Sequence, residues 1–156
     1  QTTAVTQAAF SCSDDYRLTT RTIEGTYPPY ALLIPQQYTN NIRIDHRDLL
    51  SALKRIAVIA GRKNNIVKFE FDSNTNQLTL AVDAADIGSG NERLAARISG
   101  DSLEIAFNVK YVMESLENLQ SMEIQFWMNN ATSPVVITPL DDKDVTHLVM
   151  PVQVRE

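Results

Sequence analysis

The pattern of the chain predicts an α+β fold in which two helices pack on a largely antiparallel sheet. Short alternating polar and apolar runs separated by turn residues read as strands, and two stretches carry apolar residues at helical spacing. Their order, βα, then four β, α and three β, lacks the repeated crossovers that build a parallel sheet. The length of 156 residues suits one domain plus a short appendage. With 44% hydrophobic residues, such a chain buries roughly 70% of its unfolded surface, which excludes disorder as its main state.

VTQAAFSC and YRLTTRTIEG alternate around the polar turn SDD and predict a hairpin. TYPPYALLIPQQYTNN follows, holding Pro28, Pro29 and Pro35, none of which can donate to a strand ladder, so it is expected to be an extended connector. The domain boundary is placed near residue 40, giving an appendage over 1–40 and a main domain over 41–156. NIRID is a short strand, and a helix over about 46–60 follows, with Asp45 as N-cap and Gly61 as its stop. IVKFEFD, QLTLAVD, ERLAARIS and SLEIAF are the next strands, with ADIGSGN as a loop. A second helix is expected over about 108–119, and EIQFWM, SPVVITP and THLVMPVQV close the domain.

At 100° per residue from Arg47, Leu50, Leu53, Ile56, Ala57 and Ala60 of the first helix fall between about 180° and 300°. Arg47, Ser51, Lys54 and Arg55 occupy the opposite face. Val58 and Ile59 break this division near 20° and 120°, and two exposed apolar residues at a helix end suggest a subunit contact. The second helix is expected to bury Val109, Val112, Met113, Leu116 and Leu119.

A net charge of -5 ordinarily argues against a nucleic-acid partner, but the sum hides an asymmetry. Residues 41–68 hold seven basic residues against two acidic, whereas residues 69–156 hold five against fourteen. One basic strip on an otherwise acidic surface would stay near a duplex without adhering everywhere. A lone cysteine, Cys12, excludes an internal disulfide, a zinc cluster and a CxxC pair, and fits a reducing cytoplasm. No apolar run approaches the roughly 18 residues of a membrane span, so a soluble protein is expected. A start without Met, already inside an alternating pattern, points to the C-terminal piece of something longer.

The segments TRTIEGTYPPYALLIP, DLLSALKRIAVIA, ISGDSLEIAFNVKYVMESL, SPVVI and LVMPVQV, in this order across residues 16–154, resemble the bacterial DNA sliding clamp, the beta subunit of DNA polymerase III. GDSLEIAFNVKY followed by a terminal VMP is the most specific part of the match. The resemblance implies a DNA-clamp domain, the third of three in a subunit that closes as a homodimer ring around duplex DNA, with residues 1–40 as the last hairpin of the middle domain plus connector. It implies a non-enzymatic processivity factor, acting in the cytoplasm on double-stranded DNA without regard to sequence, with no cofactor or metal. Arg47, Lys54 and Arg55 become candidates for the lining of the hole, and Val58 and Ile59 for the subunit interface. The family also captures peptides such as Gln-Leu-x-Leu-Phe from the replicative polymerase, the clamp loader and repair proteins. By position, the matching pocket residues are Pro28, Leu32 and Leu33 in the connector, Asn108 and Tyr111 at the second helix, Thr132 and Pro134 before a late strand, and Leu148, Met150, Pro151 and Val152 near the end.

Without the family, Leu148 and Met150 read as core residues and the connector prolines as turn chemistry. Leu32, Asn64 and Gln153 depart from residues frequent in the family, respectively an arginine, an aromatic and an arginine. The competing reading is a freestanding peptide-binding scaffold of clamp fold that does not encircle DNA.

No catalytic constellation can be assembled. Cys12 reads as a small apolar filler, His46 and His147 lie at a helix start and a strand start, and Asp141, Asp142, Lys143 and Asp144 read as a solvated turn before they read as a cation site. Phe126 and Trp127 point to opposite faces of one strand.

Overall fold

Two strands, β1 (Gln7–Cys12) and β2 (Tyr16–Arg21), pair antiparallel with Phe10 opposite Leu18, forming the expected hairpin. The computed structural model describes residues 6–13, 15–27, 29–61, 64–84, 88–142 and 144–153. The chain divides into two compact units, Gln1–Tyr30 and Ala31–Glu156. Cys12, expected to fill apolar space, is exposed in the first unit.

The division falls ahead of residue 40 because the connector is fastened to the second unit. Thr39 N–H donates to Asn129 Oδ1 at 2.8 Å, Asn129 Nδ2 donates to the Gln37 carbonyl at 2.9 Å, and the Tyr38 ring lies 5.7 Å from that of Trp127. Trp127 is thereby partly covered, and its Nε1–H donates to Thr138 Oγ1 at 3.1 Å.

The second unit runs β3 (Asn40–Asp45), α1 (His46–Ala60), β4 (Ile66–Asp72), β5 (Gln77–Ala84), β6 (Gly88–Ala95), β7 (Arg97–Ser99), β8 (Leu103–Asn108), α2 (Val109–Glu117), β9 (Glu123–Met128), β10 (Val135–Pro139) and β11 (His147–Val149). Every pairing is antiparallel, but the strands expected in one sheet form two, ordered β11-β10-β9-β3-β7 and β6-β5-β4-β8.

Both helices have the caps their sequence dictates. Asp45 Oδ1 accepts from Asp48 N–H at 2.9 Å, and Asn108 Oδ1 from Lys110 N–H at 3.1 Å, which satisfies donors the first turn leaves unpaired. Gly61 ends α1 by donating its N–H to the Ala57 carbonyl at 2.8 Å. The buried arc of α1 is rotated from the expected one. Leu49 and Ala52 are fully buried with Leu53, Ile56 and Ala60, while Leu50 and Ala57 are half-buried at its margin. The helix meets β5, β6 and α2 together, and these three supports set the arc. In α2, Val109, Val112 and Leu116 are buried and Met113 is half-buried; the helix ends at Glu117, with Leu119 buried beyond it. His46 ties the helices together, its Nε2–H donating to the Leu116 carbonyl at 2.9 Å.

ERLAARIS, expected as one strand, is two. β6 belongs to the four-stranded sheet and β7 to the five-stranded one, with the buried Ala96 between them. Asn76 makes this crossing, accepting from Ala96 N–H at its carbonyl at 2.9 Å and from Ile98 N–H at its side-chain oxygen at 3.1 Å. Gly88–Asn91, expected in a loop, extends β6 along β5, with Val82 opposite Gly90. Gly90 leaves room for the end of the Ile59 side chain, whose Cδ1 would lie 2.7 Å from a Cβ placed there and would have to move aside. The last strand is shorter than expected: β11 ends at Val149, two residues before Pro151, and Val152 N–H then donates to the Ala106 carbonyl of β8 at 2.8 Å.

Gly100 turns the chain into β8 at φ 120°, and a Cβ there would collide with Asn40 Oδ1 and the Thr39 carbonyl. Asn40 is 5% exposed, and its Oδ1 accepts from Asp101 N–H at 2.7 Å. Gly100→Ala combines backbone strain with this collision and is expected to lower unfolding free energy by about 2 kcal/mol or more. The urea midpoint reads this directly, and an unchanged midpoint would mean that the turn is looser than described.

Candidate functional site

The first helix presents Arg47, Ser51, Lys54 and Arg55 to solvent. The periodicity that places them there says nothing of what they touch. Lys54 Nζ lies 2.9 Å from Glu117 Oε1 at the end of α2. Arg55 binds Glu92 of β6 with two bonds, Nε to Oε1 at 2.8 Å and Nη2 to Oε2 at 2.9 Å. Arg47 makes no ion pair among the described residues. The fork of Arg55 hydrogen-bonds the carboxylate and holds Glu92 below the usual carboxylate range, while the same bonds raise Arg55. Arg62 and Lys63 lie outside the described residues.

At the other end of α1, Val58 is 67% exposed. Ile59 corrects the expectation of two exposed apolar residues: it is half-buried against the core and packs on Gly90 of β6. Among the described residues that strand is an edge of its sheet.

A groove of about 680 Å³ opens between α2 and the segment running out of β11. Asn108, Tyr111, Leu148, Met150, Pro151 and Val152, picked from distant parts of the sequence, all line it. Tyr111 and Met150 are 61% and 53% exposed, so Met150 is no core residue. Leu32, Leu33, Thr132 and Pro134 do not line this groove. Leu32 and Leu33 lie exposed in the connector, and Thr132 sits in a tight turn, its N–H and that of Ser133 donating to Asn130 Oδ1 at 2.9 and 2.8 Å. Pro28 lies outside the described residues.

The groove also takes in Glu114, Ser115, Asn118 and His147. Glu114 and Ser115 of α2 and Asn118 at its C-cap follow Tyr111 by three, four and seven positions, so extending the helix face from Tyr111 would have found them. The aliphatic tail and the aromatic face offer apolar contact, and the helix supplies a carboxylate, an amide and a hydroxyl. Such a site suits an extended peptide with apolar anchors. Among the described residues no group of three His, Cys, Asp or Glu side chains could hold a metal ion. No helix of the described residues is long and apolar enough to cross a membrane.

Residues 31–153, the span that forms both the helix face and the groove, match the family model of the DNA polymerase III beta subunit, C-terminal domain. The chain belongs to the DNA polymerase III beta subunit family. It is 48% identical over 149 residues to the beta sliding clamp of Synechococcus elongatus, an alignment covering 96% of this chain and 40% of that protein. The crystal structure of the DNA polymerase III beta subunit of Thermotoga maritima superposes with a TM-score of 0.88 at 28% identity, over 96% of this chain and 40% of that one. A sliding clamp of Bartonella birtlesii bound to griselimycin superposes with a TM-score of 0.87 at 30% identity, over 96% and 40% of the two chains. The chain thus spans about 40% of the length of these beta subunits.

The Arg55–Glu92 pair predicts a pH signature. A carboxyl depressed in the folded state keeps its pairing as pH falls through the ordinary glutamate value of about 4.3, and loses it only through the lower native value. The Glu92 carboxyl carbon, followed by NMR, should therefore titrate at lower pH in the parent than in Arg55→Gln. Coincident midpoints would mean that the pair does not persist in solution.

Proposed function

We propose that this chain is the C-terminal part of a sliding clamp, a non-enzymatic processivity factor that works in the cytoplasm. In this reading residues 1–40 are the last hairpin of the middle clamp domain with its connector, and residues 41–156 are the third domain. Two subunits close into a ring around duplex DNA, with Val58 and the β6 edge at the subunit contact. The observation that carries the reading is the convergence of Asn108, Tyr111, Leu148, Met150, Pro151 and Val152 on one groove in a chain of this family. The groove would take the clamp-binding peptides of the replicative polymerase, the clamp loader and repair proteins. That the Bartonella birtlesii sliding clamp is bound to griselimycin supports a fold able to hold a ligand.

Fluorescence anisotropy of a labelled Gln-Leu-x-Leu-Phe peptide tests this directly. Saturable binding is expected, weakened about tenfold or more by Met150→Ala, as for loss of one apolar anchor. A folded chain that binds no peptide at high micromolar concentration would remove the groove from the proposal.

Arg47, Lys54 and Arg55 would face the phosphates. Lys54 and Arg55 already have carboxylate partners, so DNA must exchange with Glu117 and Glu92 rather than meet bare cations. The competing reading, a scaffold of clamp fold that does not encircle DNA, draws on those same pairs. In a ring assembled from complete subunits, reversing charge at Lys54 and Arg55 should shorten residence on circular DNA and flatten its salt dependence by about two counterions' worth of slope. An unaltered slope would favour the scaffold.

A further inference from the structure

On the five-stranded sheet, Arg43 of β3 stands directly opposite Arg97 of β7. Its neighbours Ile42 and Ile44 are buried in the core shared with Leu49 and Leu53 of α1, so Arg43, alternating with them, lies on the sheet face turned away from that helix. Like charges directly opposite in an antiparallel pair repel and weaken it. Compensation is sparse here. Arg97 Nη1 reaches Glu123 Oε1 at 3.9 Å with 76% of its side chain exposed, and Arg43 makes no ion pair among the described residues. Asp45, opposite Glu123, lies at the far end of the same face.

Beside the two arginines is a recess of about 300 Å³, lined by Asn41, Arg43, Asn76, Arg97, Ile98 and Ser99. No carboxylate lines it. The Asn76 side-chain oxygen accepts from Ile98 N–H at 3.1 Å, so of its amide only the nitrogen is left to donate, and Asn41 Nδ2 is 3.4 Å from Gln125 Oε1. Two guanidinium forks, an amide and the Ser99 hydroxyl thus surround one small space in a chain whose net charge is -5.

We propose that this recess is an oxyanion site that takes a phosphate group between Arg43 and Arg97. A tetrahedral phosphate can accept bidentate bonds from both forks at once and still receive a hydroxyl or amide donor, which a planar carboxylate does less completely. The bound charge also removes the repulsion across the β3–β7 ladder. The site is separate from the groove and from the exposed face of α1, so a phosphate held here is not one that faces that helix. Its source is either free phosphate or the backbone of a single-stranded nucleic acid.

The test follows the Arg43 and Arg97 Nε–Hε resonances of the ¹⁵N-labelled chain, assigned with Arg43→Gln and Arg97→Gln, near pH 6.5. Sodium phosphate, acetate and chloride are titrated at matched ionic strength, and then a thymidine octanucleotide is added. Saturable shifts of both resonances in phosphate, absent in chloride and abolished by either substitution, are expected. Phosphate should also raise the melting temperature of the parent and not that of Arg97→Gln. Displacement of bound phosphate by the octanucleotide at these two resonances identifies a nucleic-acid source, and its failure identifies free phosphate. Equal shifts in acetate and phosphate would overturn the assignment in favour of a carboxylate ligand such as an acidic peptide. Small, unsaturable and equal shifts in all three salts would overturn the site altogether.

Discussion

The second unit depends on an aromatic seam between its two sheets. Phe126 of the five-stranded sheet lies 6.5 Å from Phe69 and 6.2 Å from Phe71 of the four-stranded one, ring centre to ring centre, and Phe107 meets Phe69 edge to face at 5.1 Å. Phe69, Phe107 and Phe126 are fully buried. Truncating a phenylalanine in such a place generally costs about 3–5 kcal/mol, a large part of the roughly 5–15 kcal/mol by which domains are stable. The seam also fixes the functional surfaces. β8 carries Phe107 and runs into α2, while β9 carries Phe126 and leads through β10 to β11, so the two walls of the groove are joined through these rings.

Besides its two helices, the chain passes between the sheets at Ala96, at Gly100 and again after β11, and each of these three passages uses a polar device that spends little apolar surface. Asn76 holds two backbone N–H groups, Asn40 receives a third beneath Gly100, and Val152 donates to β8 from a segment that Pro151 keeps out of a regular ladder. The groove is a by-product of that last passage. Leaving β11 for β8, the tail crosses in front of α2, and Met150 stays exposed between Val149, paired in β11, and Val152, bonded to the Ala106 carbonyl of β8.

What was legible in the sequence was what neighbouring residues determine. Asp45 and Gly61 mark α1 and Asn108 marks the start of α2, because a cap bonds within a few residues of itself. The hairpin and most strands follow from alternation. What was not legible depends on residues far away in the chain. ERLAARIS alternates through Ala96 without a break, and its division is imposed by Asn76, twenty positions earlier. The buried arc of α1 shifts toward Leu49 and Ala52 because α2 and the four-stranded sheet press on it together, a direction that periodicity alone cannot supply. Ile59 looked exposed on the helical wheel and is half covered because β6 has a glycine where it lands. In the candidate groove, the tail and the start of α2 are identified by family resemblance, and Glu114, Ser115 and Asn118 follow from the face that Tyr111 fixes, whereas His147 depends on the path of the tail.

The same distinction between near and far partners separates the cations of this domain. Lys54 and Arg55 find Glu117 and Glu92 at sequence distances of 63 and 37 residues, so a face that is basic by composition is largely paired by structure. An exposed pair of this kind is held weakly and screened by salt, and its carboxylate remains beside the cation as a competitor for any incoming phosphate. Any phosphate meeting that face would gain contacts by exchange, each gain offset by a carboxylate released, which keeps individual contacts shallow. Arg43 and Arg97 are in the opposite condition. They face each other across one ladder, and an anion arriving there displaces no strong partner and relieves a repulsion. Paired cations are therefore suited to transient contact and the opposed ones to retention, although both belong to a chain whose net charge alone would predict neither.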